Sequence, residues 1–150
     1  MEPLVTHKLT KVQRAAAETK LRHYFSLPAR ISSLQLQSET SITAGYQASE
    51  VQRNSRPTSN VEKAVMVLDQ IRLAEAEYRL LVGIRTELEE IAPELIDIWD
   101  LRYRPRLRHT DLVVMSNLCY GNRNAYYKAK DKLLGIIADR FNLWNDAHDH

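Results

Sequence analysis

Between Asn60 and Pro93 the apolar residues Val61, Ala64, Val65, Leu68, Ile71, Ala74, Tyr78, Leu81, Ile84, Leu88 and Ile91 recur at spacings of one, three and four. That period keeps apolar side chains on one face of a helix and cannot be sustained by a strand, whose faces alternate every residue. The run predicts a single amphipathic helix of about thirty residues, longer than most helices of globular proteins, and hence pairing with another helix or with a second copy of the chain. Ser59 or Asn60 is placed to cap it, and Glu62 puts negative charge in the first turn, where the helix dipole favours it. Pro93 ends it and suits the first turn of the next helix, PELIDIWDLRY, because proline's missing N–H is not needed there. Leu95, Ile98 and Trp99, with Leu101 and Tyr103, are that helix's expected buried face.

Upstream, residues 8–25 read as a helix with Leu9, Val12, Ala16 and Leu21 at turn-like spacing and Thr10 or Thr6 as cap. Leu27-Pro28 is expected to interrupt it, since the residue before a proline is pushed out of the helical region. Residues 29–37, with Ile31, Leu34 and Leu36, read as a second short helix. From Gln37 to Asn60 the chain turns polar, QSETSITAGYQASEVQRNSRPTSN, with too few large apolar groups to offset its ordering entropy, which predicts a loop or linker. The expected organisation is an N-terminal helical segment over 1–38, a polar linker over 39–60 and a helical domain over 61–150, an all-α fold throughout.

A chain of 150 residues with 44% apolar and 27% charged residues fits a soluble domain. No run approaches the roughly 18 apolar residues of a membrane span, and the first twenty residues lack the apolar block of a secretory signal. The lone Cys119 has no intramolecular disulfide partner, so a reducing cytoplasm is the expected compartment. The net charge of +2 conceals a segregation: residues 62–100 carry four Lys and Arg against ten Asp and Glu, while residues 101–132 carry eight against two. A concentrated basic block suggests one face for a polyanion.

Within that block, Arg102, Arg104, Arg106 and Arg108 alternate around Pro105, a pattern suited to an extended, solvated loop that grips phosphates. Thr110 is a plausible cap for a helix over residues 111–118. After Cys119-Tyr120-Gly121, a longer basic helix over residues 122–144 should bury Ala125, Ala129, Leu133, Ile136, Ile137, Phe141 and Trp144, with Tyr126 on the flank. A short helix, a turn and a longer basic helix form the helix-turn-helix arrangement, here at about 110–144, in which the first helix braces the second for entry into the major groove of double-stranded DNA. Arg123, Asn124, Tyr127 and Lys128 point away from the apolar stripe, with Asn122 at the tip. Arg pairs bidentately with guanine and Asn with adenine, while Lys and Tyr suit phosphates. Two departures mark the turn: Cys119 stands where such motifs often have glycine, and Gly121 where a capping Ser or Thr is usual.

The stretch from Pro57 to Trp144 resembles the phage late-gene transcriptional regulators of the ArpU and RinA type, which are similar in layout to the promoter-reading C-terminal region of sigma factors. The resemblance lies in a polar segment running into SNVEKAVMVLDQI, then LEEIAPELIDIWDLRY, then LCYGNRNAYYKAKDKLLGIIADRF. Tyr126, Tyr127, Lys128 and Lys130 match the paired tyrosines and following basic residues of that family's recognition helix, and Gly121 departs from its usual serine. The resemblance implies a regulator of late, packaging or lysis genes in a bacterial host cell, leaves RNA polymerase open as a partner, and implies no cofactor.

Other classes fit less well. His7, His23, His109, His148 and His150 are scattered, and none has a second ligand one helical turn away; His148 and His150 in the tail read as solvated, so no metal site is expected. Cys119 reads as a small buried hydrophobe and not as a nucleophile. Glu87, Glu89, Glu90, Glu94, Asp97 and Asp100 fall on several faces of two helices and read as solvated surface. Neither a glycine-rich phosphate loop nor a nucleophile elbow is present, so an enzyme is not expected. A phage DNA-packaging or assembly protein, such as a small terminase subunit, is the alternative, although such subunits usually place the DNA-binding module before the oligomerising helices. A helical protein-binding adaptor is a further one.

Overall fold

The computed structural model describes residues 8–51, 57–107 and 109–144, with 41–51 and 57–60 as backbone alone. The described residues form five helices and no strand: α1 (Lys11–Val51), α2 (Pro57–Ile91), α3 (Pro93–Tyr103), α4 (Asp111–Asn117) and α5 (Arg123–Arg140). The all-α expectation is met. The chain divides into two units, one made of residues 1–25 and 81–150, the other of residues 26–80.

Helix α1 differs from the expected pattern. It runs for 41 residues without ending at Pro28, and the polar stretch expected to be a linker is helical as far as Val51; residues 52–56 lie outside the described ones. A proline inside a helix removes one hydrogen bond and crowds the preceding turn, at a cost of about 3 kcal/mol. Pro28 itself is exposed, and the flanking Leu21, Leu27 and Leu34 are buried. Burial of each such leucine contributes roughly 1.5–3 kcal/mol, enough to offset the penalty.

The start of α1 is a capping box: Thr10 Oγ1 accepts from the Gln13 amide at 3.1 Å, and Gln13 Oε1 accepts from the Thr10 amide at 3.0 Å. This draws Gln13 inward. The buried stripe of the first turns is Gln13, Ala17 and Leu21, while Val12, expected inside, is 73% exposed.

In the unit of residues 26–80, Leu27, Leu34, Ala64, Ile71 and Ala74 are buried. Along α2 as a whole, Ala64, Ile71, Ala74, Leu81, Ile84 and Leu88 are buried, as their spacing in the sequence implies. Val61, Val65, Leu68 and Ile91, also expected to be buried, are exposed. Helix α2 also begins at Pro57, before the caps expected for it, with the proline in the first turn.

The other unit has α3 at its centre, packed against α4 and α5. Helix α3 begins at Pro93 as expected and buries Leu95, Ile98, Trp99 and Tyr103. Trp99 is fully buried, its Nε1 donating to the Leu21 carbonyl at 2.9 Å. Tyr24 meets its ring edge-on at 5.4 Å, and the Arg85 guanidinium lies 4.4 Å from the Tyr24 ring and 4.9 Å from that of Trp99. Arg85 is held there by Asp100, at 3.0 Å, and Glu87 pairs with Arg140 at 2.6 Å. Two of the six clustered carboxylates thus tie elements together instead of merely facing solvent. Helix α5 buries Tyr126, Lys130, Leu133, Leu134, Gly135, Ile136, Ile137 and Ala138. Its buried face is rotated from the expected one: Tyr126 is wholly inside and Ala125 is exposed.

Candidate functional site

The α4–α5 segment is organised around Asp111. Its Oδ1 accepts from the Tyr126 hydroxyl at 2.7 Å and from Arg102 Nε at 3.0 Å, and its Oδ2 lies 2.9 Å from Lys130 Nζ. Lys130, with its side chain only 7% exposed, also lies 3.8 Å from Glu18, whose carboxylate accepts from the Tyr103 hydroxyl at 2.7 Å. Burial works against the Asp111 carboxylate. The hydrogen bonds from Tyr126 and Lys130 and the charges of Lys130 and Arg102 outweigh it, so its carboxyl titrates below the ordinary range. Burial, followed by the nearby acid, pushes the Tyr103 and Tyr126 phenols up. The network joins residues from α1, α3, α4 and α5 and fixes both the position and the rotation of α5.

The connection between α4 and α5 has a defined geometry. Thr110 caps α4, accepting from the Val113 amide at 3.4 Å. At the other end the Cys119 amide donates to the Ser116 carbonyl at 3.1 Å and the Tyr120 amide to Met115 at 3.0 Å, the two bonds of a Schellman motif. Cys119 sits at its left-handed position with φ of 60°. The residue is exposed, not buried as expected, because a left-handed residue past a helix end turns its side chain outward. Gly121 has no such requirement, and a Cβ added there meets nothing within 4 Å. Asn122 supplies the cap of α5, its side-chain oxygen accepting from the Ala125 amide at 2.8 Å.

Beyond that cap, Arg123, Asn124 and Lys128 are exposed on the first two turns of α5, and Tyr127 is half-buried with its ring edge-on to Tyr126. The Arg123 guanidinium lies 6.0 Å from the Tyr127 ring centre. Among the described residues, Arg106, Arg123, Lys128 and Lys132 have no acidic partner within ion-pair distance.

The expected arginine loop is divided by the structure. Arg102 belongs to the last turn of α3 and is engaged with Asp111, its side chain 25% exposed. Arg104 is exposed, 3.5 Å from Asp100 and stacked 5.1 Å from the Phe25 ring centre. Pro105–Leu107 forms a turn closed by the Leu107 amide on the Arg104 carbonyl at 3.0 Å, and it carries Arg106 into solvent. Arg108 lies outside the described residues. Asn122, Arg123, Asn124, Tyr127 and Lys128 are therefore brought together at one end of α5, whereas Arg102 is drawn into the network beneath.

No family model, curated protein or solved structure matches the chain. Among the described residues no group of three or more His, Cys, Asp and Glu is placed to hold a metal ion, and no helix is long and apolar enough to cross a membrane. The residues that sequence reasoning missed are those of the network. Asp111 and Lys130 are nineteen positions apart on different helices, and Glu18 and Tyr103 eighty-five. The one available signal was a carboxylate in the first turn of α4 beside a block otherwise nearly free of acids.

Proposed function

We propose that the protein is a double-stranded-DNA-binding transcriptional regulator that reads its target through a helix-turn-helix formed by α4, the Leu118–Asn122 turn and α5. The observation that carries this reading is the division of α5. Its inner face is locked by Asp111 through Tyr126 and Lys130, while Arg123, Asn124 and Lys128 stand exposed on its first two turns. A recognition helix needs both a rigid seat and unspent donors near its N-terminal end. The Arg106 turn then serves as a sequence-independent phosphate contact, with Arg104 beside it. The resemblance of residues 57–144 to the ArpU and RinA type extends the proposal to phage or prophage late genes in a bacterial cytoplasm, with RNA polymerase as a candidate partner.

A second reading, a DNA-packaging or assembly subunit, is favoured by the exposed Val61, Val65, Met66 and Leu68 on the first half of α2, an apolar surface of the kind that oligomers cover. Selection of bound sequences from a random duplex pool at near-physiological salt tests the regulator. A defined motif supports it, and its symmetry reports the oligomer; recovery of no motif from a protein that assembles into large rings in solution supports the second reading instead.

A further inference from the structure

We infer that Ala125 is a specificity-determining residue of the proposed DNA-reading face, its methyl group meeting the 5-methyl of a thymine beside an adenine read by Asn124; this rests on the DNA-binding reading of α5. The seat of α5 decides which side chains face outward. Tyr126 and Lys130, one turn apart, are both held to Asp111, at 2.7 Å and 2.9 Å, and Leu133, Leu134 and Ile137 continue the buried side. At about 100° per residue, the direction opposite that side passes through Lys128. Asn124 then stands about 40° to one side of it and Ala125 about 60° to the other.

Along residues 123–133, the exposed side chains are Arg123, Asn124, Ala125, Lys128, Asp131 and Lys132, so Ala125 is the one apolar group on a polar face. Its backbone is held, because its amide donates to the Asn122 side-chain oxygen at 2.8 Å. The direction of the methyl is therefore set by the cap and by the seat together. Alanine is also the shortest side chain that ends in a methyl, so base edges can come closer to the helix here than over Arg123 or Lys128. In the major groove the thymine 5-methyl is the apolar group that a base pair presents, and cytosine has none at that carbon. Asn124, on the other side of Lys128, offers the oxygen and the amide that match N7 and N6 of adenine. The two side chains flank the outward direction and so meet neighbouring base pairs. A face of this chemistry selects A·T pairs at the centre of its site.

The test measures binding of the full chain, by fluorescence anisotropy, to the duplex selected from a random pool and to a scrambled one. It then uses the selected duplex with each thymine in turn replaced by uracil, which removes the 5-methyl and keeps every hydrogen-bonding group. The inference predicts A·T pairs in the selected motif and one thymine whose replacement weakens the parent about fourfold, as expected for one buried methyl. Ala125→Gly removes the alanine methyl, and Ala125→Ser sets in its place a hydroxyl, which prefers water to a methyl. Both variants bind the thymine and uracil duplexes alike at that position, and the serine variant decides if glycine loosens α5. Asn124→Ala weakens binding yet keeps the thymine preference. If the parent prefers the selected duplex but no thymine is sensitive, or the sensitivity survives in the Ala125 variants, the role of Ala125 is overturned while the α5 reading stands. If the parent binds selected and scrambled duplexes alike, or neither, the α5 reading itself fails and takes the inference with it.

Discussion

Lys130 Nζ lies 2.9 Å from Asp111 Oδ2 inside the basic C-terminal block, with only 7% of the lysine side chain exposed. The residue that sequence pattern counts among the positive charges of a binding face is spent internally, holding α5 against α4. Asp111 is the centre of this arrangement because Arg102 and Tyr126 share the same carboxylate.

Removing the charge from that centre takes the carboxylate away from Arg102 and leaves Lys130 with only the more distant Glu18, at 3.8 Å. Asp111→Asn should lower stability by about 2–4 kcal/mol, since breaking a mostly buried pair leaves an uncompensated charge behind. Lys130→Met should cost less, because Arg102 still balances the carboxylate. Urea denaturation of both variants checks the order; equal stability of parent and Asp111→Asn would show that the network does not hold the helices.

The same network predicts the pH profile. A carboxyl whose folded pKa is depressed binds protons less readily folded than unfolded. Its stabilisation is therefore complete above the ordinary carboxylate range and is lost as pH falls through the folded value. Asp111 puts this loss below about pH 4, and Asp111→Asn should flatten the acid limb. The raised phenols of Tyr103 and Tyr126 act with the opposite sign: their contribution is present below the ordinary tyrosine value and declines as pH rises above about 10. Melting temperatures between pH 3 and 11 show both limbs, and Tyr103→Phe/Tyr126→Phe should reduce the alkaline one.

Cys119 holds a left-handed conformation that costs an ordinary L-residue about 1 kcal/mol. Cys119→Gly should stabilise by roughly 0.5 kcal/mol once the greater freedom of the unfolded chain is counted, and Cys119→Val should destabilise by about 1 kcal/mol or more. Gly121→Ser should be neutral, since its φ is ordinary and its surroundings are open. Thermal melts of the three variants decide it, and a stabilising Cys119→Val would contradict the assigned turn.

Trp99 is the largest wholly buried side chain. Trp99→Ala should cost about 3–5 kcal/mol. Trp99→Phe should be much milder, because it keeps most of the ring and the Leu21 carbonyl retains its place in the α1 ladder. A Trp99→Ala melt within a degree or two of the parent would place this face outside the core.

Much of the fold was legible because single residues carry strong local instructions. Thr110 caps α4, Pro93 opens α3, and Leu95, Ile98 and Trp99 face inward as their spacing implies. The failures have physical causes. Pro28 reads as a break because its local penalty is visible in sequence, whereas the burial of Leu21, Leu27 and Leu34 that outweighs it is tertiary. Val61, Val65 and Leu68 belong to the apolar stripe of α2 in the sequence yet stand exposed, because which part of a stripe is covered depends on neighbours that only the folded chain supplies. At the candidate site, the exposed Arg123, Asn124 and Lys128 followed from the helix pattern. The capture of Arg102 and Lys130 by Asp111 did not, because it joins residues whose proximity only the folded chain creates.

The central claim is that the N-terminal end of α5 reads bases. Asn122 and Asn124 separate reading from capping, since Asn122 alone holds the α5 cap. Asn122→Ala should lower stability by about 1 kcal/mol, whereas Asn124→Ala should leave the melting temperature unchanged. The decisive measurement is the affinity of Asn124→Ala for the selected duplex and for a scrambled one at two salt concentrations. The account predicts a loss of roughly 1–3 kcal/mol on the selected duplex and little on the scrambled one, because no charge is removed. An equal loss on both duplexes, or none on either, would contradict it.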